Sequence, residues 1–163
     1  MDLKFISLGA LLLLLGFGAG YYLQTAPQRE YLDPDIELSI DKDCELNQAA
    51  CVTPVEGDGS VLFSIEPRPI YGVSPLIFTL KPMQDSIGNR LEIKNAVIDL
   101  SGTEMNMGSY RFEFEAVDPG VFQAKGTLPV CIRNHMEWQA IVWLETKQQG
   151  LIKVPYIFTA AKK

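Results

Sequence analysis

Alternation of apolar and polar side chains dominates the second half of the chain. Tyr110, Phe112 and Phe114 alternate with Arg111, Glu113 and Glu115. Phe122, Ala124, Gly126 and Leu128 alternate with Gln123, Lys125 and Thr127, and Trp138, Ala140, Val142 and Leu144 with Gln139 and Glu145. Successive strand residues point to opposite faces, so this period of two predicts half-buried strands at Tyr110–Val117, Phe122–Leu128, Met136–Thr146 and Ile152–Phe158. Apolar runs at Val61–Ile65, Leu76–Lys81 and Leu91–Leu100 predict three more. Turn signals separate them: Pro67-Arg68-Pro69, Ser86-Ile87-Gly88-Asn89, Asp118-Pro119-Gly120 and Gln148-Gln149-Gly150. No stretch here carries a helical period. About seven short strands with such turns predict an all-β, immunoglobulin- or cupredoxin-like antiparallel β-sandwich.

The front of the chain breaks this pattern. Residues Phe5 to Leu23 form a charge-free run of 19 residues, which as a helix would cover roughly 28 Å, close to a bilayer core of about 30 Å. A cleaved signal has a shorter apolar core and a small-x-small site, which the FGA and QTA sequences match poorly. Tyr21-Tyr22 lie where an interfacial aromatic belt would sit. The run therefore reads as an uncleaved single-pass anchor. Lys4 and the amino terminus place the N-terminus in the cytoplasm, leaving the body in a bacterial periplasm. The expected organisation is an anchor over residues 1–23, a polar tether with a Cys44/Cys51 loop over 24–59, and a sandwich over 60–163. Ile36–Ile40 is a candidate short edge strand within the tether.

The chain carries 20 acidic and 14 basic residues. Its net charge of −6, without a Lys/Arg cluster, argues against nucleic acid as a partner. No nucleophile-elbow, zincin, phosphate-loop or C-x-x-C motif is present. A Cys131–His135 dyad would lack an oxyanion hole, so the chain reads as a non-enzyme. Glu113 and Glu115 fall on the polar face of a strand and read as solvation, and Gly57-Asp58-Gly59 reads as a turn.

Three cysteines leave one without an intrachain partner in an oxidising compartment. Cys44 and Cys51 are close in sequence, and closing so short a loop would stabilise the fold by roughly 2–3 kcal/mol. Pairing of either with Cys131 is the alternative. If Cys44 and Cys51 pair, Cys131 stands free in LPVCIRNHMEW, followed by His135 and Met136. A second sulfur-rich loop holds Met105 and Met107, and the two loops can share one end of a sandwich. Thiolate and thioether are soft donors, and outside the cytoplasm they select Cu(I). Equally, methionine fills irregular core gaps, and a lone loop histidine is commonly only solvated. The candidate metal set is Met105, Met107, Cys131, His135 and Met136.

The motifs MNMG (Met105–Gly108), DPG (Asp118–Gly120), LPVC (Leu128–Cys131) and MEWQAIVWLE (Met136–Glu145), behind one N-terminal span, resemble the FixH/YtkA-like group of membrane-anchored periplasmic β-sandwich proteins. The resemblance covers about Ser60 to Phe158. It implies copper handling and a role in assembling haem-copper respiratory oxidases, with Met105 and Met107 in the methionine loop. Two functions are therefore expected. One is a Cu(I)-binding or trafficking protein at the inner membrane, partnered by a respiratory oxidase or a copper-handling protein. The other is a metal-free, membrane-tethered assembly module with a docking patch at Ile141 and Trp143.

Overall fold

The computed structural model describes residues 33–129 and 134–162. The apolar run at residues 5–23 and Cys131 lie outside them, and no helix among the described residues is long and apolar enough to cross a membrane. The unit from Asp33 onward is all-β. Its strands are β1 (Ile36–Glu37), β2 (Cys51–Pro54), β3 (Ser60–Glu66), β4 (Pro75–Met83), β5 (Ile93–Gly102), β6 (Ser109–Glu113), β7 (Glu115–Asp118), β8 (Val121–Thr127), β9 (His135–Thr146) and β10 (Leu151–Ala161).

These strands form two five-stranded sheets. The first runs β1-β10-β9-β5-β6 and the second β2-β3-β4-β8-β7, and every pairing is antiparallel except β1 with β10. The period-two faces meet as one core. Ile98, Leu100, Trp138, Val142 and Val154 point in from the first sheet, and Val61, Phe63, Ile65, Phe78 and Leu80 from the second. Each large side chain so buried contributes about 1.5–3 kcal/mol before entropy is counted. The Tyr156 ring stacks on Phe63 with centroids 4.7 Å apart, and its hydroxyl shares a 3.0 Å hydrogen bond with Thr53 Oγ1, tying β10 to β2.

Two departures from the expected strands have physical causes. The expected Tyr110–Val117 strand divides at Phe114, which turns into the core at 7 % exposure while the chain passes from the first sheet to the second. Ile36 opens the short edge strand expected there, but Cys51 opens β2, and residues 44–55, expected as a tether loop, are instead built into the sandwich. Leu46 and Val55, 1 % and 3 % exposed, supply the apolar burial that a tether would lack. The Cys44–Cys51 disulfide is present, with the two Cα atoms 5.5 Å apart, and it fastens this segment to the edge of the second sheet.

The outer edge of β10 is closed piecemeal. Its odd-numbered residues face that edge: the Lys153 carbonyl accepts from Leu38 N–H, the Thr159 carbonyl from the Asn47 amide, and the Ala161 carbonyl from Gly72 N–H. Pro155, in the same series, brings no N–H to that edge, a placement that discourages further strand addition.

Candidate functional site

Strand directions sort the connections into two ends. At one end lie the β3–β4 loop, the β5–β6 loop with the methionines, and the segment leading into β9. The β5–β6 loop is held in a fixed shape. Thr103 N–H and its hydroxyl both donate to the Glu137 carbonyl, at 3.2 and 3.3 Å, and the hydroxyl also reaches Glu137 Oε1 at 2.8 Å. Asn106 Oδ1 accepts from Gly108 N–H at 3.1 Å, in a turn that Gly108 closes at a φ of 81°. The Tyr110 hydroxyl donates to the Met107 carbonyl at 2.8 Å.

Met105 and Met107 are half-buried and pack on the core. Met136 is buried at 2 % exposure, two residues before Trp138, which faces Gly102 across the sheet. Its terminal methyl lies in the space that a side chain on Gly102 would occupy, beside the Met105 carbonyl. The structure thus brings Met105, Met107 and Met136 to one end of the first sheet, on its inner side. His135 is not on that side. It precedes Met136 in the strand, so its exposed side chain points to the opposite face. The segment expected to deliver Cys131 to this end departs from Leu128, whose carbonyl accepts from Val73 N–H at 3.0 Å, and returns at Asn134, whose carbonyl accepts from Lys162 N–H at 2.8 Å. Among the described residues no three His, Cys, Asp or Glu side chains gather as a metal-binding group. Three thioether side chains, Met105, Met107 and Met136, share this end of the sheet; thioethers as a class suit a soft ion and not a hard divalent one.

A second constellation was not anticipated from the sequence. On the outer face of the first sheet, the Arg111 guanidinium grips Asp99 through two 2.7 Å bonds, and Trp143 Nε1 donates to Asp99 Oδ2 at 2.9 Å. Lys153 Nζ sits 5.9 Å from the Trp143 ring centre and bonds Glu37 at 2.7 Å. Trp143 is consequently only 7 % exposed, so the docking patch expected around it is covered by its own neighbours. The sequence signal was Asp99, a lone carboxylate inside the apolar run Ala96–Leu100. Beside this constellation, Ile141 and Pro155 join Leu38 and Ile40 around an open groove of about 470 Å³. Glu113 and Glu115 are exposed, and Gly57-Asp58-Gly59 forms the β2–β3 turn.

Compared with known proteins, the chain matches no family model, no curated protein and no solved structure.

Proposed function

We propose that this chain is a membrane-anchored, periplasmic β-sandwich of the immunoglobulin or cupredoxin kind that binds Cu(I) at its methionine end and passes it on, serving assembly of a respiratory oxidase. The observation that carries this reading is the gathering of Met105, Met107 and Met136 at one end of the sheet, where the segment bearing Cys131 also begins and ends. Thioethers stay neutral and prefer a soft ion, so they hold Cu(I) without needing to lose a proton. Transfer proceeds by ligand exchange: an incoming thiolate or thioether of the partner replaces one donor at a time, and no bond of a substrate is broken. His135, on the other face, is left out of the thioether cluster. The apolar span keeps the domain at the inner membrane, where the oxidase resides.

The metal-free reading centred its docking patch on Trp143. That side chain is committed to Asp99 and shielded by Lys153, which leaves the patch without its main anchor. The test is a Cu(I) titration of the full chain in detergent against a chromogenic Cu(I) chelator. One equivalent that withstands the chelator, lost on Met105→Ala/Met107→Ala, supports the reading. Failure of the folded protein to take Cu(I) from a weak chelator overturns it.

A further inference from the structure

We infer that the outer face of the second sheet docks a second copy of this chain, the two faces packing across a two-fold axis that runs along β4. The inference is independent of the Cu(I) reading. Phe63, Phe78 and Leu80 point into the sandwich and Thr53 reaches the buried Tyr156, so Val52, Leu62, Ile77 and Met83 point away from it. Val52, Ile77 and Met83 are 46, 38 and 41 % exposed, three large apolar side chains on one face. Lys81 and Lys125 are exposed on the same face, and neither ammonium has an ion-pair partner among the described residues. The outer face of the first sheet is finished differently. Val97 and Trp143 point outward there, yet they are only 3 and 7 % exposed, in a face crossed by the ion pairs Arg111–Asp99 and Lys153–Glu37. One face covers its apolar residues with side chains of its own; the other leaves them, and its lysines, without cover among the described residues.

Register and charge identify the occupant. Glu66 pairs with Ile77 across β3 and β4, and Ile77 with Lys125 across β4 and β8, so an acid and a base flank Ile77 in one row. A half turn about β4 exchanges β3 with β8. It lays Glu66 of one copy against Lys125 of the other, twice in each dimer, so the face complements itself in charge. The same operation sets Ser64 against Gln123, and Ile77 and Thr79 each against its own copy. Glu66 already holds Arg68 at 2.9 Å, but half of its side chain stays exposed, leaving room for a second cation. Lys81 also lies on the axis, and its long stem carries the ammonium away from its twin to the rim. Strands about 4.8 Å apart and rising about 3.4 Å per residue make this face roughly 20 Å by 24 Å. With the relief of its side chains, that approaches the roughly 800 Å² per partner of an ordinary stable interface. Two such faces meet as sheets commonly do, with strands roughly aligned.

The experiment uses the full chain in detergent micelles, its protein mass followed by analytical ultracentrifugation through a dilution series. The native chain is expected to sediment as a dimer. Ile77→Lys sets two like charges on the axis and is expected to weaken the dimer at least about tenfold, with the circular dichroism of the folded sandwich retained. Lys125→Glu weakens it in the same direction, and adding Glu66→Lys restores it, because the pair is remade with its charges exchanged. A second readout is geometric. In a Cys131→Ser background, Ile77→Cys is expected to cross-link to its own copy under mild oxidation, whereas Glu113→Cys, exposed on the other sheet, does not. A native chain that stays monomeric throughout overturns the inference, as does a dimer indifferent to Ile77→Lys. A monomer whose Ile77→Cys cross-links in whole membranes to a different protein assigns the face to that protein and overturns it too. If Ile77→Lys does not fold, Lys125→Glu and its restoration by Glu66→Lys decide.

Discussion

The two ends of the sandwich are closed by different means. At the end away from the methionines, turns built on glycine and local hydrogen bonds are also tied to one another, Gln148 to Glu92 and Gln149 to Glu56. Asp85 Oδ1 accepts from the N–H groups of Ile87 and Asn89 at 3.0 and 2.8 Å, and the Thr146 hydroxyl donates to the Gly150 carbonyl at 2.9 Å. Gly57, Gly59, Gly88, Gly120 and Gly150 all take positive φ there. Lys147 bonds Glu92 across the turns and holds its carboxyl below the usual range. At the methionine end the connections are likewise held by partners distant in sequence: Thr103 by Glu137, Val73 by Leu128, Lys162 by Asn134. Here the chain also tolerates Val73 at a φ of 61° while 61 % exposed, a conformation that costs a non-glycine residue roughly 1–2 kcal/mol. One end is built on glycines with positive φ. The other holds half-buried sulfur and a strained valine, and strain of this kind collects where function is at work.

That contrast can be broken most sharply through the core beneath the methionine end. Trp138, paired with Gly102 and 1 % exposed, is expected to cost about 3–5 kcal/mol when replaced by Ala. Urea unfolding would measure it, and a loss near zero would mean that this end is not packed as described. Tyr156 reports on the core that both ends share. Burial pushes its phenol up to about 12 from an ordinary value of 10, against the opposing pull of the Thr53 hydroxyl. A group whose folded pKa is raised gives stability that is complete below pH 10 and is lost as pH climbs from 10 to 12. The loss amounts to about 2–3 kcal/mol. Tyr156→Phe should flatten this alkaline decline in a pH series of unfolding midpoints; an unaltered decline would assign it to other groups.

Smaller effects compare the ends themselves. At the turn end, Gly59 has a φ of 86°, and a Cβ there would approach the Asn89 carbonyl oxygen to 2.9 Å. Gly59→Ala is expected to destabilise by about 1–3 kcal/mol, with strain and steric displacement acting together. At the methionine end the sign reverses. Val73→Gly relieves the left-handed strain, and after the added freedom of the unfolded chain is subtracted it should stabilise by about 0.5–1 kcal/mol. Denaturant midpoints of both variants, measured together, test the comparison directly. Destabilisation by Val73→Gly would show that this valine is not strained.

Much of the sandwich is legible in the sequence. Alternation in residues 110–128 and 136–158 states which side chains face inward, and Asp-Pro-Gly and Gln-Gln-Gly state where the chain reverses, because period and turn chemistry are local properties. The division at Phe114 was not legible, since an apolar residue in phase gives no sign of a change of sheet. The edge strand at Ile36 is legible, but the place of residues 44–55 in the sandwich is not, because their polar composition hides Leu46 and Val55, whose burial depends on distant partners. For the candidate site, residue type singled out Met105, Met107 and Met136. It could not show that His135 faces the other way until the strand register was known.

The sequence by itself determined that this chain would build an all-β body with one apolar and one polar side to its strands. That follows because the hydrophobic effect acts on a pattern already written in neighbouring residues. Only the tertiary structure decided which strands pair, that Trp143 is spent on Asp99, and that Met136 comes to rest against Gly102 beneath the Met105 loop. The last two contacts join residues more than 30 positions apart, and no local pattern encodes a meeting that the packing of two whole sheets brings about.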